Sequence, residues 1–428
     1  MEQLLEMGRA SGFNAVEVFR ESVSEIDWQE GPAGLQKHQS FRDRVAVRSF
    51  WEQGDPVFFV LGKPEWRAAR KAFSQVSTAL LPQPGIGYSG LLPKKTDFIQ
   101  LRICDPQVNA DERKQAALLR ESTAETLASF PGLKLIALHF NRQFRKVQLV
   151  NSHGFNGKYK KSLFTLRLVF TRQDRIIEVS ENTIFFNQIN PVNMVARAHN
   201  LIGSLTENPA PEKGCENLIL APEAAAGMLA DCSSLFHSHA VSDRIMAAPV
   251  LSVSDHPGLP DRPGSVPFDD EGVGAREKIL INKGVFSGAI NDLEGAFVCN
   301  ATLSGNGFRD CRTLYPRPFF SNLIIKPSAY SLSKLIGESG RGILVTGMRK
   351  KNDIIADNAY RYSVYGYLFR DNDFAEAVHF YLRTTPSSFL NSVQMVSKEI
   401  KFFKKGFIVG APYVLCLSRR RRDGSFSF

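Results

Sequence analysis

Cysteine pairs of the Cys-x-x-Cys kind are missing from this 428-residue chain. Its six cysteines (Cys104, Cys215, Cys232, Cys299, Cys311 and Cys416) are scattered, which excludes a cysteine-built metal cluster and points to free thiols in a reducing compartment. Long hydrophobic runs are missing too. Stretches such as VFFVLG and LKLIALHF have strand length and fall far short of the ~20 residues of a membrane span. The N-terminus, MEQLLEMGRASGF, is acidic early and has no continuous apolar core, so it does not read as a signal peptide. A cytoplasmic protein without a membrane partner is expected. No repeat of fixed period occurs.

What is present fits a soluble globular chain long enough for two cores, with 43% hydrophobic and 22% charged residues. The net charge of +10 could suggest nucleic acid, but the one dense basic run is SRRRR at 418 to 422, close to the end. It reads as a solvated, disordered tail (419–428), and any nucleic-acid binding through it would be weak and salt-sensitive. Nucleic acid is therefore not an expected partner.

The fold class read from the pattern is α+β, with an N-terminal mixed α/β domain at 1–205. A linker follows at 206–215, TENPAPEKGC, and then a mainly antiparallel, barrel-like β-rich domain at 216–418. In the first domain AVEVFRES, RVAVRSFW and PVFFVLG read as strands. PEWRAARKAFSQVSTALL reads as a helix started by Pro64. NADERKQAALLRESTAETLAS is the clearest helix, with Asn109 as its cap. LKLIALHFNRQFRKVQLVNSHG reads as a hairpin turning near Asn141 and Arg142, and a further helix is expected near 191–205. In the second domain KILINKGVFSGAI is a hairpin with Asn282, Lys283 and Gly284 at its turn. Five more strands follow, in SNLIIKP, GILVTGM, YRYSVYGYLF, EAVHFYLRT and GAPYVLCLS. Only two short helices are expected there, near 222–233 and 331–337.

Several stretches carry residues that could do chemistry. SVPFDDEGVG places Asp269, Asp270 and Glu271 in a row; successive strand residues point to opposite faces, so a polar turn is the simpler reading than a cation site. FHSHAVSD sets His237 and His239 two apart, which on a strand shares one face, and His256 could be a third metal ligand. LSGNGFRDCR, containing Asn306, lacks the third glycine and the lysine of a phosphate loop and reads as a turn. NSHG at 151–154 also reads as a turn, because neighbouring residues are poorly placed to act as nucleophile and base. Tyr360, Tyr362, Tyr365 and Tyr367 could stack on bases, yet a packed sheet face explains them equally.

Taken in order, VEVF, LVNSHG, LILAPEAAAGML, GSVPFDDEGVGAREKILINKGVFSGAINDLEGA, LSGNGFR and GAPYVLCLS resemble the TldD/PmbA family over nearly the whole chain. This family was once described as modulators of DNA gyrase and is now understood as a peptidase system. The resemblance is most specific at 264–309. In the TldD branch it implies a helix with HExxxH, whose two histidines hold zinc with a cysteine near the C-terminus while the glutamate acts as general base. Here that helix reads Pro222, Glu223, Ala224, Ala225, Ala226, Gly227, so both histidine positions are empty. No cysteine lies in SKEIKFFKKGFIVG, and Cys416 comes later.

The pattern fits the PmbA (TldE) branch. That branch implies a non-catalytic subunit, no cofactor in this chain, zinc in a TldD-like partner, a homodimer or heterodimer, and a peptide substrate. On the resemblance, Asp269, Asp270, Glu271 and Asn306 are candidates for a chamber wall or peptide path. Two alternatives stay open. One is a self-sufficient metallopeptidase using His237, His239 and His256 with Glu223 as base; the other is a regulator of a gyrase-type machine.

Overall fold

In the computed structural model, the first two hundred residues build one fully antiparallel six-stranded sheet. The structure describes all residues except 53, 63–64, 80–86, 95–97, 205–210, 239–245, 352–358 and 371–372. Pro64, the first half of the expected linker (206–210) and His239 therefore lie outside the described residues. The chain runs α1 (Glu2–Ala10), β1 (Ala15–Gly31), β2 (Gly34–Phe50), β3 (Val57–Leu61) and α2 (Trp66–Ala79). It continues through α3 (Glu112–Leu127), β4 (Lys134–Asn151), β5 (Asn156–Arg172), β6 (Arg175–Thr183) and α4 (Pro191–Ser204). The sheet order is β3-β2-β1-β4-β5-β6.

The two faces of this sheet have different partners. On one face α1 and α2 cover Val16, Val18, Val45 and Val47 at one end, and α3 and α4 cover Leu138, Phe140, Leu166 and Leu168 at the other. The opposite face presents Phe19, Ala46, Val147 and Leu149 to Val266, Phe268 and Leu314 of the second half.

Three local expectations are corrected here. No turn occurs at Asn141 and Arg142, because β4 runs straight through them and the hairpin turns at Ser152–Gly154 instead. The polar run reads as a turn, but Arg142 is buried, donating to the Ala110 carbonyl at 2.6 Å and to Gln115 at 2.9 Å. The cap of α3 is Asp111, whose carboxylate accepts from the Arg113 amide at 2.9 Å, while Asn109 ends a preceding single turn. The strands β1 and β2 also reach beyond their apolar cores, and the far end of β2 is solvated and polar, which is why its pattern was silent there.

The second half begins with β7 (Asn217–Leu220), which leads directly into α5 (Pro222–Asp231). Next come β8 (Val253–Asp255), β9 (Lys278–Asn282), β10 (Val285–Phe286), α6 (Leu293–Val298), β11 (Gly307–Arg309), β12 (Pro316–Pro318) and β13 (Asn322–Ile325). They are followed by α7 (Leu332–Ser339), β14 (Arg341–Lys350), β15 (Tyr360–Arg370), β16 (Asp373–Thr384) and α8 (Pro386–Ser392). The last strands are β17 (Val393–Val396), β18 (Lys401–Lys405), β19 (Phe407–Ala411), β20 (Val414–Leu417), β21 (Arg419–Arg420) and β22 (Phe426–Ser427).

One large sheet has the order β10-β9-β8-β13-β19-β18 and another β17-β20-β7-β14-β15-β16-β22-β21, while β11 and β12 form a two-stranded sheet; three parallel pairs occur among otherwise antiparallel neighbours. The β9–β10 turn is as expected, with Lys283 and Gly284 both at positive φ. Helix α5 packs between the two sheets through Ala224, Ala225, Ala226, Met228 and Leu229. Its run of alanines matches that position, since small side chains let a helix approach sheets closely on both sides.

Helices α6 and α8 were not foreseen. They are short and capped by Asp292 and Thr385, with Pro386 at the first turn of α8. The arginine tail is not a disordered appendage. Arg419–Arg420 pair with Phe426–Ser427, which in turn extend β16, and Phe426 is fully buried against Phe380 at 4.8 Å. No described helix is long and apolar enough to cross a membrane.

Candidate functional site

Helix α5 turns one side toward a cavity of about 260 Å³ roofed by strands of both halves. Glu223, Gly227 and Asp231, four residues apart, share this side, as i, i+4 positions on a helix must. Lys405 of β18, Lys350 of β14 and Tyr362 of β15 face these carboxylates, and Glu178, Thr346, Arg349 and Tyr365 add to the polar lining. The charges are already matched. Glu223 receives the Lys405 ammonium at 3.1 Å and lies 3.7 Å from the Arg197 guanidinium of α4. Asp231 accepts from Lys350 at 2.7 Å and from the Tyr362 hydroxyl.

These residues do not fit a zinc ion. Pro222 and Gly227, at the two positions where HExxxH has histidine, carry no donor atom, although a Cβ on Gly227 would meet nothing within 4 Å. Cys416 is no substitute. It sits fully buried on β20 beside Leu218, and burial pushes its thiol up to about 12, away from the thiolate that zinc requires.

The two histidines of the alternative site that the structure describes are placed separately. His237 follows α5, bridges to Ile290 and packs edge-on against Phe320 at 5.9 Å. His256 turns its Nδ1 back to accept from the Gly258 amide at 3.2 Å. Among the described residues, no group of three or more His, Cys, Asp or Glu side chains converges in a way that could hold a metal.

The four residues proposed for a chamber wall are inside the molecule: Asp269 and Asp270 are 1% exposed, Glu271 and Asn306 0%. They build a polar clasp between the two halves. Asp269 accepts from the Glu271, Val273 and Gly307 amides at 3.0, 2.8 and 2.8 Å. Asp270 accepts from Arg145 of β4 at 3.2 Å and from the Arg309 amide at 2.9 Å. Glu271 accepts from the Leu293 amide at 2.8 Å and pairs with Arg48 of β2 at 2.7 Å. Arg48 also holds Glu17 of β1 at 3.0 Å, and Glu17 in turn binds Arg309. Asn306 donates to Asp255 at 2.8 Å and to the Phe319 carbonyl at 2.9 Å. Asp270 and Glu271 find counter-charges across the boundary between the halves, Asp269 and Asn306 are satisfied within the second half, and none of the four faces solvent.

Sequence reasoning reached Asp269 to Glu271 through adjacency alone. It missed Glu17, Arg48, Arg145 and Arg309, whose partners lie up to 292 positions away. Only their presence as charges inside apolar strands could have flagged them.

Burial, with Asp292 and Glu17 nearby, raises the Glu271 carboxyl from 4.5 to about 7 despite Arg48. A raised folded-state value means that this proton is held more tightly in the native state. The resulting stabilisation is full below about pH 4.5 and is lost as pH rises through about 7. Glu271→Gln should therefore flatten the dependence of stability on pH between about 5 and 7 relative to the parent. Urea midpoints at both pH values test this, and equal slopes in the two proteins would contradict it.

Residues 216–418 match the family model of the PmbA/TldA metallopeptidase C-terminal domain. The whole fold superposes on TldE from Thermococcus kodakarensis with a TM-score of 0.83, over 97% of this chain and 98% of that one, at 19% identity. The chain resembles the TldD/PmbA family, in sequence through its second half and in fold over nearly its whole length. Relatives by sequence include an Archaeoglobus fulgidus protein named metalloprotease, 30% identical over 39% of this chain and 41% of that protein. Another is the Methanocaldococcus jannaschii metalloprotease MJ0996, 24% identical over 58% of each. The chain thus matches about half the length of these relatives. Glu223, the residue that the resemblance matches to a general base, is here closed off by Lys405 and Arg197.

Proposed function

We propose that this chain is a TldE-like, non-catalytic subunit of a peptide-processing system whose zinc is carried by a TldD-type partner. The observation that carries this reading is the state of Glu223. A carboxylate held by Lys405 and Arg197, with no metal ligand on either side of it, has no bound water to activate. Protein cations stand where the metal charge of an active relative belongs. The names of the metalloprotease relatives support the peptide system, and the likeness to TldE supports the branch.

Partner docking is supported by exposed apolar residues of the second half. Met246 and Val285, which bridge one another, are 55% and 50% exposed, and Val250 is 53%. The six free cysteines support work in the cytoplasm. Zinc analysis of the chain purified alone, combined with a peptide-hydrolysis assay, tests the proposal. The expected result is zinc far below stoichiometric and no cleavage above background, with cleavage appearing when a TldD-type subunit is added. Stoichiometric zinc that disappears on His237→Ala and His239→Ala, together with cleavage by the lone chain, would replace this reading with a self-sufficient peptidase.

A further inference from the structure

The helix-bearing face of the N-terminal sheet is covered at its two ends and open in the middle. Between the α1–α2 layer and the α3–α4 layer lies a groove of about 620 Å³. Its floor is set by register. Arg20, Gln148 and Lys158 are aligned across β1, β4 and β5, and so are Ser22, Lys146 and Lys160 in the next row. Residues directly opposite on antiparallel strands share a face, so all six side chains point into the same groove. Its wall is apolar, formed by Phe98, Ile99 and Leu101.

Among the described residues the groove carries an excess of positive charge, and no described acidic residue lines it. Asp43, the nearest on the same face, is committed to Arg20, receiving its guanidinium at 3.0 and 2.7 Å. Lys146, Lys158 and Lys160 are exposed, and among the described residues none has a carboxylate partner. Lys146 lies instead over the Phe144 ring at 5.1 Å. Lys146 and Lys160 are directly cross-strand neighbours, a like-charge pairing that weakens a sheet unless something else gains from it. Ile99, at the groove's edge, is 42% exposed.

We infer that this groove is a docking site for an acidic, partly apolar peptide segment, with its carboxylates on Lys146, Lys158 and Lys160 and its apolar side chains against Phe98, Ile99 and Leu101. The groove is too small for a duplex, and although its lysines would serve any anion, the aliphatic Ile99 and Leu101 beside them favour a ligand that also has apolar side chains. A short extended peptide matches both its size and its two-sided chemistry. The site shares no lining residue with the α5 cavity and needs no catalytic partner, so its test is separate from that of the non-catalytic reading.

The experiment is fluorescence anisotropy of the full chain with a labelled Glu/Leu octapeptide. A Lys/Leu octapeptide and a single-stranded oligonucleotide serve as comparisons, at low and at ~0.3 M salt. The acidic peptide should bind, weaken with salt and lose about tenfold in affinity in the K146Q/K158Q/K160Q variant, as three exposed ion pairs imply. The Lys/Leu peptide should not bind. Because these lysines are exposed and mutually repulsive, the variant should melt no lower than the parent, and a K146E/K158E/K160E variant should reverse the preference. Acidic-peptide binding that is absent, or unchanged in both variants, overturns the inference. Tighter binding of the oligonucleotide overturns it in favour of a nucleic-acid site.

Discussion

Arg48→Ala should lower the stability of this protein by about 3–5 kcal/mol at neutral pH, the cost of leaving a buried ion pair half-made. Arg48 is 1% exposed and serves two carboxylates at once, Glu17 at 3.0 Å and Glu271 at 2.7 Å. Its guanidinium is raised well above its ordinary value: burial opposes the charge, but the two carboxylates outweigh it. Removing it leaves Glu17 and Glu271 buried without their shared counter-charge. Desolvation cannot be recovered by rearrangement, since Glu17 lies in the core of β1 and Glu271 is held by the Leu293 amide.

The loss should shrink as pH falls, because protonating the stranded carboxyls removes the unpaired charge. It should also shrink in a Glu271→Gln background, where one of the two carboxylates is already neutral. Urea denaturation of the parent, both single variants and the double variant provides the cycle. Additive losses would mean that Arg48 and Glu271 do not act on each other, and that the clasp is not a unit.

Gly307→Ala is the second large effect, and it arises from the same clasp. A Cβ at this position would sit 2.0 Å from Glu271 Oε2 and 2.6 Å from its carboxyl carbon. The glutamate side chain cannot simply swing away, because its two oxygens are engaged by Arg48 and by the Leu293 amide. Relief of the clash therefore either displaces β11 or breaks the ion pair. The expected cost is at least ~3 kcal/mol, combining overpacking with the loss of a buried pair.

Gly305 supplies a clean comparison within the same turn. Its φ of +74° is the left-handed conformation, so its own replacement strains the backbone without touching Glu271. Thermal melts of both variants distinguish the mechanisms. Glu271→Ala should rescue part of the loss in Gly307→Ala and none of that in Gly305→Ala. Failure of that selective rescue would show that the collision is not what Gly307 avoids.

These two results bear on the meaning of the most specific motif in the chain. FDDEG and SGNGFR look like chemistry when read in order, three acids and a glycine turn. In the fold they face each other: Asp269 holds the Gly307 amide and Asp270 the Arg309 amide, while Asn306 reaches Asp255. Arg145, Arg48 and Glu17 add the N-terminal sheet to the same network. The motif is a joint between the two halves, and its specificity reflects how few residue combinations can satisfy so many buried polar groups at once.

Much was legible from the chain alone, wherever a short stretch carries its own instruction. The apolar runs of RVAVRSFW and PVFFVLG specify strands, Lys283–Gly284 specifies a tight hairpin, and the alternating apolar strands after residue 216 specify a curled sheet. Local order also shows that the helix after β7 has no histidine on either side of Glu223, so it lacks the ligands of the HExxxH pattern. What lay beyond it depended on side chains far apart in sequence. Whether NRQFRK bends or runs straight turned on Arg142 finding the Ala110 carbonyl and Gln115. Whether the arginine tail is free turned on the pocket that receives Phe426. Whether three consecutive acids face a chamber or a core turned on Arg48 and Arg145 arriving from another sheet. The reason is physical: backbone preference and period act between neighbours and can be read in sequence, whereas the energy of a buried charge depends on its partner, and only the tertiary structure brings that partner within 3 Å.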